Sequence, residues 1–323
     1  NNGMDTRTMS QSLTAFSPAS IGNVSVGFDV LGASLAPVDG TLLGDQVSLK
    51  EAVEYTLTVA GRFADKLPAG TDNNIVTTSY HFFNKALAQK GVPVKTLALH
   101  LEKNLPIGSG LGSSASSIVA AFYALNAFYD KPFDDNTLLF MMGECEGQIS
   151  GAVHYDNVAP ALFGGMTLMT GQDSPICENV PVFTDWYWAI CYSGISVSTS
   201  AARKILPTEV PMATTLTFGR QLASFIHASH TQNAPLAAAV LQDVIAEPYR
   251  QSLLPHFAES REFAMANGAL GFGISGSGPT VFAACPDHAT AEKVADYLTK
   301  HYIQNEDGFT HVCHIDTAGS RVL

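Results

Sequence analysis

The stretch LPIGSGLGSSASSIVAA, residues 105–121, limits the possible folds more than any other part of the chain. Gly108, Gly110 and Gly112 alternate with other residues behind a proline, and a run of small residues able to open a helix follows. Backbone without side chains can approach a ligand closely and turn its N–H groups toward one point, while a helix N-terminus behind it adds about half a positive charge. TLALHLEKN (96–104) alternates as a strand, and 113–129 repeats apolar residues at helical spacing, so the local order is strand, glycine loop, helix. Such a unit suits a phosphate; it equally suits a tight turn before a closely packed helix.

Two common phosphate motifs do not fit. The lysine-bearing P-loop requires a Gly-Lys dipeptide, which is absent from the sequence. The dinucleotide fingerprint is partly matched by Gly110, Gly112 and Ala115, but no repeated βαβ array surrounds them. A second cluster, GISGSGPT (273–280), again places Gly and Ser before Pro, and two such loops in one chain suggest opposite sides of one ligand site.

Charge restricts what that ligand can meet. With 17 Lys and Arg against 29 Asp and Glu, a net charge of -12 and no basic cluster, nucleic acid and anionic membranes are disfavoured partners. An anionic small molecule must therefore be held by local devices: helix N-termini, a metal ion or a few placed arginines. The five cysteines are odd in number and widely spread, which reads as reduced core thiols instead of disulfides or a zinc site. The segment NNGMDTRTMSQSL lacks the apolar core of a secretory signal and no run of 18 apolar residues occurs, so a cytoplasmic protein is expected. NNG before Met4 reads as an expression remnant, and residues 1–11 are expected to lie outside the fold.

The 323 residues, 46% hydrophobic and 14% charged, suffice for two domains. Residues 13–60 read as short strands; 73–91, 113–129 and 134–150 read as helices. Beyond Gly164 and Gly165 the pattern changes to strands, then to helical stretches from about 200 to 267, and then to strand, turn, strand, helix, strand. The chain is predicted to be α+β, with domains over 12–170 and 171–323.

A third element, PASIGNVSVGFD (18–29), joins the two glycine clusters. SVGFDVLG, LPIGSGLGSSA, HYDNVAPALFGG, AEPYRQSLLP and GISGSGPT occur in that order, and through them the chain from about Phe16 to Leu323 resembles the GHMP small-molecule kinases, most specifically the homoserine kinases. The resemblance implies a two-domain fold, an N-terminal mixed sheet with helices and a C-terminal ferredoxin-like α/β sandwich. It also implies use of ATP and Mg²⁺ to phosphorylate the side-chain hydroxyl of L-homoserine, giving O-phospho-L-homoserine for threonine biosynthesis. A homodimer and inhibition by threonine belong to the same expectation. Alternatives are another member acting on an alcohol without an ammonium group, such as mevalonate, or a ligand sensor of the same fold without turnover.

Site roles follow from the resemblance residue by residue. Main-chain N–H groups of Gly108, Ser109, Gly110, Leu111, Gly112 and Ser113 are implied donors to ATP, with Pro106 and Ile107 at the loop entry and Ser114 and Ser116 in the first helical turn. Ser114 and Glu146 would hold Mg²⁺. Asp29, assisted by Asn23, would take the substrate ammonium; Arg203 and Arg250 would grip its carboxylate, where a planar guanidinium pairs well. Thr199 lies one helical turn from Arg203 and shares its pocket. His154 and Asn157 would stand at the acceptor hydroxyl and, with Arg203, form the catalytic set. Asn157 stands where other members of the superfamily carry an aspartate base, and an amide cannot accept a proton as a carboxylate does. Direct transfer of the proton to phosphate is one reading; Asp156 as base is its competitor.

Overall fold

The computed structural model describes residues 12–323; the expectation for residues 1–11 lies outside them. Strands β1 (Leu13–Pro18), β2 (Ser20–Ile21), β3 (Leu31–Pro37), β4 (Gly44–Glu51) and β5 (Thr56–Ala60) lead to helix α1 (Ile75–Gln89) and strand β6 (Leu97–Glu102). Helices α2 (Ser113–Phe128), α3 (Asp135–Ser150) and α4 (Val158–Phe163) follow, then strands β7 (Met166–Met169), β8 (Cys177–Val180) and β9 (Tyr187–Tyr192). Helices α5 (Thr199–Lys204), α6 (Met212–Thr231), α7 (Ala234–Ala239), α8 (Glu247–Arg250) and α9 (Phe257–Ala266) come next. The chain closes with β10 (Gly271–Ile274), β11 (Val281–Cys285), α10 (His288–His301), β12 (Phe309–Ile315) and β13 (Arg321–Val322).

The helices start where the sequence supplies an acceptor. Asn74 Oδ1 accepts the Val76 N–H at 2.8 Å to cap α1, and Asp134 Oδ1 accepts the Thr137 N–H at 2.8 Å to cap α3. Helix α2 has no such side chain; the left-handed Gly112 precedes it. Its Ala- and Ser-rich faces are buried nearly all round, which places it centrally against α1, α3 and the first sheet, with Phe122 edge-on to Phe83.

That sheet runs β13-β1-β4-β6-β5, with β5 and β6 parallel and the other pairs antiparallel. The alternation of LALHLE in β6 turns Leu97, Leu99 and Leu101 inward, as read from the sequence. The second sheet is antiparallel throughout, in the order β10-β11-β9-β12-β3-β7-β8, with β2 beside β3. Within it, β9, β10, β11 and β12 take the spatial order fourth, first, third, second with α10 packed behind, the expected ferredoxin-like sandwich. The protein is thus α+β with one mixed and one antiparallel sheet. Residues on each side of position 170 contribute to both sheets: β3 lies in the second between β12 and β7, and β13 pairs with β1 in the first.

All five cysteines are free thiols and four are buried. Among the described residues, no helix is long and apolar enough to cross a membrane.

Candidate active site

Gly108, Gly110 and Gly112 have φ of +65°, +85° and +66°, a region in which a Cβ is strained. The space around them is equally restrictive. A Cβ on Gly110 would stand 2.2 Å from the Ser275 carbonyl oxygen, and one on Gly112 would stand 2.3 Å from Ser20 Oγ. Here the glycines are needed for a left-handed path and for close approach of three chain segments.

The loop's carbonyls are all engaged on its outer side. Ile107 O accepts from Ser196 Oγ at 2.8 Å, Gly108 O from Val197 N at 2.9 Å and Ser109 O from Thr280 N at 3.0 Å. Gly110 O accepts from Ser275 Oγ at 2.6 Å and Leu111 O from Ser20 N at 3.0 Å. Five consecutive carbonyls are thus tied to PASIGN, to the loop before α5 and to GISGSGPT. Among the described residues, the N–H groups of Gly108, Gly110, Gly112 and Ser113 find no main-chain acceptor. A loop with its carbonyls satisfied and several N–H groups unpaired has donors to offer an anion. Two expected contacts are placed differently. Leu111 gives its N–H to Ser109 Oγ at 3.2 Å. Ser116 is fully buried, its hydroxyl accepting from Asp45 N at 2.9 Å and donating to Ser17 O at 2.8 Å, so it anchors the helix to β1 and β4 instead of facing a ligand.

Beside the loop, exposed Ser114 lies next to the Glu146 carboxyl on α3. Burial, then the nearby Asp156, push the Glu146 carboxyl up to about 8, and its Oε2 is buried without a partner. Burial, then Asp29, likewise push Asp156 up to about 7. Poor solvation of two neighbouring acidic groups explains both shifts. Among the described residues, no group of three or more His, Cys, Asp or Glu is arranged to hold a metal. The unpartnered Glu146 Oε2 beside the Ser114 hydroxyl is an oxygen donor set of the kind that could serve Mg²⁺, which takes one or two protein ligands and the remainder from phosphate oxygens and water.

The residues expected to meet the acceptor lie close to one another. Arg203 Nη2 donates to both Asp29 carboxylate oxygens at 2.9 and 3.0 Å, and His154 Nδ1 is 3.5 Å from the same nitrogen. The Asp29–Arg203 pair is about half-exposed, 37% and 40%. Burial, then Arg203, depress the His154 pKa and favour its neutral ring. Arg250 is buried, donating from Nε to Ala202 O at 3.1 Å and from Nη1 to Gly276 O at 3.3 Å. Thr199 is exposed at the start of α5, one turn before Arg203. Asn157 Oδ1 accepts from Ser20 Oγ at 2.9 Å, and its Nδ2 lies on the side of Gly22, as does Asp156 Oδ2. Asn23 is buried and its Oδ1 accepts the Ser25 N–H at 3.1 Å, so it shapes the bend just before the Gly27–Val30 turn that carries Asp29.

Two features escape a reading of motifs. The Phe28 ring meets the guanidinium groups of both Arg203 and Arg250, at 6.0 and 5.5 Å, in cation–π contact. Only its place beside Asp29 hinted at this. Lys103 and Asp45 form a buried ion pair at 2.6 Å beneath the glycine loop. The period of two that turns Leu97, Leu99 and Leu101 inward continues to Lys103, and a lysine at an inward position is the signal for a partner.

Comparison with known proteins identifies the family. The model for the GHMP kinases N terminal domain matches residues 74–165 and that for the GHMP kinases C terminal region matches 225–304, together more than half of the chain. A homoserine kinase from Cytophaga hutchinsonii is 30% identical, covers 100% of this chain and of its own, and superposes with a TM-score of 0.86. A phosphomevalonate kinase from Streptococcus pneumoniae (12% identity, 94% of this chain and 99% of its own, TM-score 0.69) shares the fold. So does a mevalonate kinase from Methanococcus jannaschii (14%, 96% and 99%, TM-score 0.68). With the glycine loop, the two sheets and these matches together, the chain belongs to the GHMP kinase family and has its two-domain fold.

Proposed function

We propose that the protein transfers the γ-phosphoryl group of ATP to the side-chain hydroxyl of L-homoserine. The observation that carries this reading is the Asp29–Arg203 pair. A half-exposed pair is worth about 0–1 kcal/mol, so a ligand that replaces both of its contacts opens it at little cost. An amino acid does so: its ammonium takes Asp29, and its carboxylate takes Arg203 with Arg250 behind. A hydroxy acid such as mevalonate would claim Arg203 and leave Asp29 facing its own negative charge. A sugar offers neither charge. The 30% identity to a homoserine kinase supports the same choice.

In this reading the free N–H groups of Gly108, Gly110, Gly112 and Ser113 bind the nucleotide phosphates, and Ser114 and Glu146 would hold Mg²⁺. Mg²⁺, when bound, neutralises charge on the outer phosphates. Ser20 fixes Asn157 Oδ1 and so presents Nδ2 to the acceptor oxygen. The hydroxyl oxygen forms the new P–O bond as the bond from the γ-phosphorus to the leaving oxygen breaks and ADP departs. Its proton passes to a phosphate oxygen, for a loose transition state requires no early deprotonation. Orientation then supplies most of the acceleration, within the roughly 7–11 kcal/mol that positioning can contribute. Threonine, with the same two charges and a hydroxyl one carbon nearer, would compete for the same pocket.

Release of ADP, measured with Mg²⁺ and homoserine, mevalonate, galactose or shikimate in turn, tests the proposal. Turnover with homoserine alone is expected. Turnover with mevalonate instead overturns the acceptor assignment, and nucleotide binding without turnover on any of the four overturns the kinase assignment in favour of a sensor. For the proton, Asp156→Asn should cost less than about tenfold in kcat while Asn157→Ala costs about a hundredfold; the reverse order makes Asp156 the base.

A further inference from the structure

Beneath the glycine loop lies a buried ion pair that the transfer reaction does not use directly. Lys103 is 1% exposed and Asp45 0%, the lowest values of any charged residue among those described. Lys103 Nζ donates to Asp45 Oδ2 at 2.6 Å, to Ser113 O at 3.0 Å and to Ser117 Oγ at 3.0 Å. Asp45 Oδ1 accepts the N–H groups of Asn104 at 2.8 Å and Leu105 at 3.1 Å, and Ser117 Oγ donates to Oδ2 at 2.5 Å. Asn104 and Leu105 lead into the loop; Ser113 and Ser117 form the first turn beyond it. Both ends of the loop are therefore bonded to one charge pair, and Ser113 Oγ donating to Leu105 O at 3.1 Å joins them directly.

We propose that Lys103 and Asp45 are positioning residues for the nucleotide: they fix the separation and tilt of the loop's two ends, and so the convergence of its free N–H groups on phosphate. Neither side chain touches the ligand. Removal of one partner would strand a buried charge, whereas removal of both charges leaves the fold nearly as stable. The pair Asp45→Asn with Lys103→Met uses this difference. The amide introduced at position 45 keeps an acceptor for the N–H groups of Asn104 and Leu105, no charge is left alone, and the bonds from Lys103 to Ser113 and Ser117 are lost.

This inference rests on the loop being the nucleotide site, so the parent protein is titrated first with MgATP; failure to bind overturns the reading of the loop itself. With binding established, the double variant is expected to melt within a few degrees of the parent, yet to show a KM for ATP at least about tenfold higher with the KM for homoserine within about twofold. Amide hydrogen exchange at Gly108 to Ser113 should quicken. A purely structural role predicts that melting temperature and ATP affinity recover together, and a folded double variant with the parent's KM for ATP overturns the proposal. Ser117→Ala, which keeps both charges, is the second arm: a rise of about threefold in the KM for ATP alone supports the proposal, and no change with an unfolded double variant rejects it.

Discussion

In the proposed reading, the two halves of the site bind charge by opposite means. On the nucleotide side the donors are main-chain N–H groups, their path held by five bonded carbonyls, glycines that tolerate no Cβ and a buried ion pair. On the acceptor side the groups are side chains, half-exposed and bonded to each other. A triphosphate is common to all kinases of a family, so backbone can serve it. The acceptor differs between members, and side chains are what substitution can rewrite. The first half is ready before its ligand arrives; the second must exchange its internal pair for the ligand's charges.

The largest test of this contrast is Gly110→Ala. With φ at +85° and the Ser275 oxygen 2.2 Å from the added carbon, the loop must shift, and kcat/KM is expected to fall by about a hundredfold or more. A folded variant, by circular dichroism, within threefold of the parent would break the idea of a rigid cradle. Asp29→Asn acts on the other half alone. It removes the ammonium's partner, and the KM for homoserine should rise about tenfold to a hundredfold while that for ATP stays within about twofold.

Acidity separates the halves again. Glu146 and Asp156, raised to about 8 and 7 without a cation, hold protons in the folded state that the unfolded chain releases nearer 4. Their contribution to stability is complete at low pH and is lost as pH rises through 7 and 8. His154, shifted downward, acts in the opposite sense below its ordinary value near 6.5. The metal-free protein should therefore melt lower at pH 8.5 than at pH 7, and Glu146→Gln should flatten that slope. With Mg²⁺ and nucleotide the stabilisation should instead grow with pH, because the ligand carboxyl must be ionised. The smallest effect belongs to Phe28→Leu. Loss of two cation–π contacts worth about 0.5–1 kcal/mol each loosens Arg203 and Arg250 and should raise the KM for homoserine about threefold to tenfold.

Periodicity made the elements legible, because the inward leucines of β6, the small residues of α2 and the caps Asn74 and Asp134 are local facts of the chain. Five motifs in order made the site legible as a set. What they could not show was pairing in space. That Arg203 would meet Asp29, that Asn23 would be committed to Ser25, and that Ser116 would be an anchor depend on contacts between residues distant in the chain or on turns that motifs do not specify. Lys103 was hidden for a different reason. Its side chain follows the strand's alternation, but it stands outside the five motifs, and its partner Asp45 is 58 residues away in the chain.

The path of the chain between its sheets bears on how the cleft can move. It passes from the first sheet to the second at β2, returns at β4, leaves again at β7 and returns at β13. Four connections, instead of one, join the two sheets, so a swing of one sheet against the other would have to bend all four at once. A nascent chain that has not yet passed Val322 also leaves β1 bare along one edge, an invitation to mispairing until that final strand docks.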